Sequence, residues 1–167
     1  VSGIGGHQSA AARTDVWLTP PHVKAPLGEF DLDPCAAVGQ PWPTARTHYT
    51  IEDNGLALPW VGRVWCNPPY GTEAAAWLDR MASHGWGTAL VFARTETDMF
   101  FRHVWERATA LHFFRGRLHF HFPNGQRAPT NAGGPSVLVA YGESDAEILK
   151  RSGLPGRFIA LPTGDST

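Results

Sequence analysis

Four short apolar runs constrain the fold more than any other feature of the chain: Phe30–Leu32, Val61–Cys66, Thr88–Ala93 and Ser136–Tyr141. A strand with one wet face alternates apolar and polar residues; these runs do not, so both faces must be covered. Val64, Val91, Val137 and Val139 add β-branching that suits an extended backbone. Two segments carry helical spacing instead. Residues 73–84 place Ala74, Trp77, Leu78 and Met81 on one stripe, with Thr72 set to cap the helix and Gly85 to end it. Residues 98–108 place Phe100, Phe101, Val104, Trp105 and Ala108 together, with Thr97 as cap and Asp98 in the first turn. Strand–helix–strand alternation predicts an α/β fold with a mostly parallel sheet and crossover helices. A fifth strand is predicted over Ala110–Phe114, extended by Arg117–Phe122 after Gly116. With Ser136–Tyr141 it forms an antiparallel edge hairpin in this reading. The proline-bearing segment 36–60 reads as extended, with one short strand near Thr47–Ile51.

The 167 residues suit one domain, and 43% hydrophobic content suits one sizeable core. That domain is predicted over 15–160, between a loose Gly/Ser/Ala-rich N-terminus at 1–14 and a loose tail at 161–167. Charged residues make up only 17%, which excludes a globally disordered chain. No apolar run approaches the roughly 18 residues of a membrane helix. The N-terminal stretch shows no basic region followed by an apolar segment, so no signal peptide is read there. Cys35 and Cys66 stand in no zinc spacing, which argues against a disulfide-stapled scaffold and for a reducing cytoplasm. Lys+Arg 14 against Asp+Glu 15 gives a net charge of −1. A binder that lives on phosphate attraction is thereby excluded, and any nucleic-acid contact must be local.

Asn67-Pro68-Pro69-Tyr70 directly follows the Val61–Cys66 run. Ligands of open α/β sheets bind beyond the carboxyl ends of strands, so the placement suits a site. An Asn side-chain oxygen and the following Pro carbonyl are two acceptors, and two prolines stiffen the loop that carries them. Two rigid acceptors match a planar amino group with two hydrogens. Holding both hydrogens drives the nitrogen lone pair out of the plane and raises its nucleophilicity. The Tyr ring offers a stacking face for a planar base. The bland alternative is a strand-end turn with two prolines.

The tetrapeptide after a buried strand resembles the catalytic motif of S-adenosylmethionine-dependent amino-methyltransferases acting on DNA. Other stretches resemble that group in the same order. Thr19-Pro20 in Val16-Trp17-Leu18-Thr19-Pro20 is similar to a Thr-Pro element ahead of the first strand. Asp31-Leu32-Asp33-Pro34-Cys35-Ala36 resembles the cofactor strand, and Glu52-Asp53-Asn54-Gly55-Leu56 the acidic turn that follows later. Gly116-Arg117-Leu118 and Gly134-Pro135-Ser136 also match in kind. Together residues 15–142 resemble the small phage-type DNA N6-adenine methyltransferases, the phage Dam family. The resemblance implies a three-layer Rossmann-like methyltransferase domain with S-adenosylmethionine as cofactor and DNA as partner. It further implies a phage- or prophage-encoded protein in the cytoplasm of a bacterial host. The chain departs from the usual pattern in its glycine-poor loop, Pro34-Cys35-Ala36-Ala37-Val38-Gly39, and it has no large target-recognition insert.

By this resemblance Asn67, Pro68, Pro69 and Tyr70 are the catalytic set, and the cofactor set is Trp17, Thr19, Pro20, Asp33, Pro34, Cys35, Glu52, Asp53 and Asn67. Asp33 is expected at the cofactor's ammonium end, Asp53 at its adenine amine and Glu52 at its ribose. Each has an ordinary alternative: Asp33 capping a turn, Asp53 closing a surface turn, Trp17 as a core aromatic. Arg94 follows a strand, and Arg115 and Arg117 lie among aromatics in Phe113–Phe122, so these three are the candidate DNA contacts. His119 and His121 share a strand face, but no third ligand stands nearby, so no metal is expected. The leading function is methyl transfer to the exocyclic amine of adenine in DNA, with the base flipped out or the substrate single-stranded. One rival keeps the chemistry and takes cytosine, RNA adenine or a glutamine amide as acceptor. Another is a degenerate nucleic-acid-binding module without catalysis. A metal-dependent nuclease lacks the carboxylate cluster it needs.

Overall fold

The computed structural model of the chain describes residues 17–162. The N-terminus at 1–14 and residues 163–167 of the tail, both expected to be loose, lie outside the described residues. The rest forms one mixed α/β sheet of seven strands with helices. A short helix α1 (Pro21–Lys24) runs into a 3₁₀ turn over Ala25–Leu27. Strands β1 (Leu32–Asp33), β2 (Thr47–His48) and β3 (Val64–Cys66) follow, then helix α2 (Ala74–His84) and strand β4 (Gly87–Phe92). Helix α3 (Asp98–Phe100) continues as a π turn over Phe101–Trp105. Strands β5 (Ala110–Phe114) and β6 (Ser136–Tyr141), helix α4 (Glu143–Arg151) and strand β7 (Gly156–Ala160) complete the order.

The sheet order is β2-β1-β3-β4-β6-β5-β7. The pairings β1–β2, β1–β3 and β3–β4 are parallel, whereas β4–β6, β5–β6 and β5–β7 are antiparallel. The predicted antiparallel pair exists, but not at the edge. β6 lies between β4 and β5, and β7 covers the outer side of β5. Because β5 is antiparallel to β6, which is antiparallel to β4, β5 points the same way as β4. The carboxyl ends of β1, β2, β3, β4 and β5 therefore share one end of the sheet.

Two of the apolar runs are cut or shifted: Val61–Cys66 is a strand only over Val64–Cys66, with Val61 exposed, and Phe30–Leu32 gives way to Leu32–Asp33; the strand residues that remain are covered on both faces. Val64, Cys66, Ala89, Val91, Val137 and Val139 pack with Trp77, Leu78 and Met81 of α2 and with Phe100 and Val104. The intervening residues Trp65, Leu90, Leu138 and Ala140 pack instead with Val23, Leu27, Phe30, Ala146 and Leu149. Each fully buried side chain of Leu or Val size contributes about 1.5–3 kcal/mol of transfer free energy. All four residues of the predicted α2 stripe are buried, and Gly85 ends the helix in the left-handed region at φ 76°, its N–H bonded to the Met81 carbonyl at 2.9 Å. Thr72 does not cap: the N-cap is Glu73, without a side-chain bond. Thr97 does cap, accepting from Phe100 N at 3.3 Å. The second helix is shorter than predicted. At Phe101 the hydrogen bond runs to Glu106 N, five residues on, at 3.1 Å. That extra residue breaks the 3.6 spacing, so Phe101 is exposed while Phe100 and Val104 stay inside.

Arg117–Phe122 does not extend β5; only His121 makes isolated bridges, to Leu18 and Arg127. The Thr47–Ile51 strand is cut to Thr47–His48, with Ile51 exposed in the turn beyond. Segment 36–60 holds no helix, in accord with its prolines. At the amino ends of the strands a buried ion pair ties four elements together. Arg63 donates Nε to Asp145 Oδ1 at 2.9 Å and Nη1 to the Leu27 and Glu29 carbonyls at 2.6 and 3.0 Å. Thr88 Oγ1 adds a bond to the same Asp145 oxygen at 2.8 Å, and the guanidinium lies 3.8 Å over the Phe30 ring.

Candidate active site

The chain leaves β3 at Cys66 and enters Asn67-Pro68-Pro69-Tyr70 beside the carboxyl end of β1. Pro68 is buried, while Asn67, Pro69 and Tyr70 are half-buried. The Asn67 amide donates from Nδ2 to the Trp17 carbonyl at 2.7 Å and to Thr19 Oγ1 at 3.4 Å. Trp17 reaches this position because Leu18 exchanges backbone bonds with His121, at 2.8 and 3.0 Å, and because its ring meets Phe122 at 5.3 Å. Trp17, Thr19, Asp33, Cys35 and Asn67 line one pocket, joined by Gln40 and Thr44. Pro20 and Pro34 are buried beside it.

Asp33 ends β1 and is 4% exposed. Its Oδ1 accepts from Cys35 N at 3.1 Å and its Oδ2 from the Thr44 hydroxyl. Burial pushes its pKa above the usual carboxylate value, against those two hydrogen bonds and the nearby charge of Lys24. Thr44 is itself held by Gln40 Nε2 at 3.0 Å, and Gln40 Oε1 accepts from Ala37 N at 3.1 Å. His48 Nε2 accepts from Thr44 N at 3.1 Å and Ala45 N at 3.2 Å. Lys24 donates to the Thr44 carbonyl and lies 5.0 Å over the Phe30 ring. Burial lowers its pKa to about 8. Sequence reasoning misses Gln40, Thr44, His48 and Lys24. Gln40 and Thr44 come from an aperiodic loop, His48 from the two-residue strand β2 and Lys24 from a short helix, and only the polar run at 40–48 hints at the first three.

Cys35 Sγ lies 3.7 Å from Cys66 Sγ and donates to the Asn67 carbonyl at 3.2 Å. Its hydrogen bond with Cys66, together with burial, pushes the Cys35 thiol well above its usual pKa. Both thiols are free. Glu52 and Asp53 lie in an exposed turn after β2, outside the pocket lining. Asp53 Oδ2 accepts from Thr50 N at 2.8 Å and Thr50 Oγ1 at 3.3 Å, which closes the turn on itself. The turn still sits against β1: a Cβ at Gly55 would stand 1.9 Å from the Pro34 carbonyl oxygen, so only glycine fits.

Tyr70 is less free than its motif suggests. Its ring stacks on Phe92 at 4.4 Å and 16°, and meets Phe120 edge-on at 6.3 Å. Burial raises the phenol's pKa, so it stays protonated. Arg94 follows β4, exposed, with its guanidinium 5.6 Å from the Phe92 ring. Arg115 and Arg117 are exposed just past β5, and Arg117 Nη1 donates to the Ala132 carbonyl at 3.2 Å. All three arginines thus stand at the same end of the sheet as Asn67. His119 and His121 do not face a common ligand site: His119 pairs with Arg127 at 2.6 Å and His121 with the Gly125 carbonyl at 2.9 Å. Among the described residues no helix is long and apolar enough to cross a membrane.

The site therefore combines a strand-end Asn-Pro-Pro-Tyr loop, a buried acid on the neighbouring strand, and exposed arginines nearby. The sequence profile of one family, described as DNA N-6-adenine-methyltransferase (Dam), matches residues 6–150. No curated protein and no solved structure matches the chain. With the profile spanning most of its length, the chain belongs to the DNA N-6-adenine-methyltransferase (Dam) family.

Proposed function

We propose that the protein transfers a methyl group from S-adenosylmethionine to the exocyclic amine of adenine in DNA. The observation that carries this reading is the placement of Asn67, whose amide hydrogens are bound inside the protein, in one pocket with the buried carboxyl of Asp33. The fold supports it as a three-layer Rossmann-like domain, with α2 and α3 on one face of the sheet and α1 and α4 on the other.

The donor set suits the cofactor. Burial raises the pKa of the Asp33 carboxyl, and a cation beside it favours the charged form, so an ammonium is the natural partner. Each of its oxygens keeps a lone pair beyond the bonds to Cys35 and Thr44. The loop that follows replaces the usual glycines with Cys35, Ala36 and Ala37, small enough for close approach. Trp17, Thr19 and Gln40 complete the wall, and Glu52 and Asp53 stand ready after β2 for ribose and adenine. S-adenosylmethionine, when bound, supplies the methyl group.

The chain's own residues prepare the acceptor. Asn67 Oδ1 and the Pro68 carbonyl accept the two amine hydrogens, which localises the nitrogen lone pair. Tyr70, braced by Phe92, stacks on the base through its remaining face. Rate enhancement comes from this positioning and from hydrogen bonds that strengthen as the nitrogen becomes cationic. A paired adenine hides its amine, so the base is flipped out or the substrate is single-stranded. Arg94, Arg115 and Arg117 meet the phosphates. The setting is the cytoplasm of a bacterial host, with a phage or prophage as source.

Incubating purified protein with DNA and S-adenosylmethionine, then digesting to nucleosides, tests the proposal. N6-methyladenine is the expected product. Methylcytosine would move the acceptor, and no methylated nucleoside at all would leave only a binding module.

A further inference from the structure

We infer that the Trp17 carbonyl and the Thr19 hydroxyl are positioning groups that set which end of the Asn67 amide faces the acceptor. This rests on the proposed methyl transfer. An Asn side chain has two faces of similar shape and opposite chemistry: Nδ2 only donates, Oδ1 only accepts. An amine about to be methylated needs the acceptor. If the amide were turned over, Nδ2 would meet the amine's hydrogens and the loop would repel its substrate.

The geometry forbids that error. Nδ2 has two hydrogens, and two acceptors stand within reach, the Trp17 carbonyl at 2.7 Å and Thr19 Oγ1 at 3.4 Å. A carbonyl oxygen cannot donate, so the atom facing Trp17 must be the nitrogen. Turning the amide would set two bare oxygens 2.7 Å apart. With both hydrogens engaged, Oδ1 is the end left for substrate. The clamp is itself braced. Leu18 is bonded on both sides of its peptide to His121, and Val23 N caps onto the Pro20 carbonyl at 3.0 Å. Thr19 is 2% exposed, so its hydroxyl is a fixed partner rather than a mobile one. By its motif Thr19 reads as a cofactor contact; its bond to Asn67 gives it a different task.

The two roles separate experimentally. Thr19→Val keeps the shape and removes the hydroxyl. The clamp predicts a single-turnover methylation rate about fivefold lower, the size of one neutral hydrogen bond. Any loss of cofactor affinity by calorimetry is smaller than the loss of rate, because Thr19 also lines the pocket, and Thr19→Ser restores the rate. Asn67→Asp tests the Trp17 side. It keeps an acceptor for the amine but turns the other end into an oxygen facing the carbonyl. At neutral pH its rate should fall close to that of Asn67→Ala. In the unmodified protein the Asn67 side-chain amide protons, observed by NMR, should be hydrogen-bonded before any ligand is added, and one of them should shift in Thr19→Val. Weaker cofactor binding in Thr19→Val with an unchanged rate would return Thr19 to the cofactor and overturn the clamp. Full activity of Asn67→Asp would overturn it too. Full activity of Asn67→Ala would instead overturn the proposed function.

Discussion

Replacing Asp33 by Asn removes a charge from the pocket while keeping the side chain's size. In the protein this carboxyl is 4% exposed and holds Cys35 N and the Thr44 hydroxyl. Burial raises its pKa against the nearby charge of Lys24, so a further cation bound beside it would favour the charged form. If an ammonium of the cofactor is the missing partner, the substitution removes one charge-assisted hydrogen bond, about 1.5–3 kcal/mol. At about 1.4 kcal/mol per factor of ten, cofactor affinity should drop roughly ten- to a hundredfold. Stability should not follow. A neutral amide carries no charge to desolvate, and Oδ1 can still accept from Cys35 N, so the change should stay within about 1 kcal/mol. Calorimetric titration with S-adenosylmethionine, set beside urea denaturation of the ligand-free protein, reads both quantities. The pH dependence adds a second signature. A raised carboxyl pKa means that the neutral acid appears at higher pH than for an ordinary Asp, so affinity is lost as acid is added through that raised value. The ligand-free fold responds in the opposite sense: its Asp33 contribution is present below the ordinary pKa and is lost as pH rises through the raised one. Unchanged affinity in Asp33→Asn would refute the anchor. Equal losses of affinity and stability would mean that Asp33 only ties its loop to Thr44.

Tyr70→Ala should weaken capture of the target base by about 1–3 kcal/mol in DNA affinity, and Tyr70→Phe should be mild, because the ring and its stacking on Phe92 are kept; equal effects would shift the role to the hydroxyl. Changing Arg94, Arg115 or Arg117 singly to Ala should lower the slope of log affinity against log salt by about 0.9 for each duplex phosphate that the side chain neutralises, and the unmodified protein should neutralise no more than about four. A slope unmoved by all three would place the DNA elsewhere. Arg63→Met should cost about 3–5 kcal/mol in urea denaturation by leaving Asp145 buried without its cation, and the companion change Asp145→Leu should recover much of that loss.

The parts of the fold that a single strand or helix decides for itself are legible in the sequence. β6 has the predicted bounds, β5 has them without the expected extension over Arg117–Phe122, and the α2 stripe is buried residue for residue. Elements whose reason for existing lies elsewhere are not. β7 is mostly exposed and shows no apolar pattern; it is a strand because β5 offers it a free edge. Helix α4 buries only Asp145, Ala146 and Leu149, too few to mark a stripe, and one of these is an acid that makes sense only beside Arg63 and Thr88. The π turn after Phe100 is equally invisible, since the residues that enter it have good helical spacing.

The candidate site divides along the same line. Asn67 is legible because its chemistry and its place after an apolar strand are both local facts. What makes it usable is not local. Its amide is aimed by Trp17 and Thr19, about fifty positions earlier in the chain, and the acid it shares a pocket with is tuned by Thr44 and Lys24, from a loop and a helix with no pattern of their own. A motif specifies which atoms are needed; their orientation and charge are set by partners brought in through the strand order. The outcome for Asp53 follows from the same reasoning. As a sequence feature it is a strong cofactor acid, yet one of its oxygens already closes the turn on Thr50, which leaves the other to meet a ligand. Asp33, buried with its pKa raised despite the charge of Lys24, is the acid whose state a cationic ligand would change, and so its substitution is the most informative.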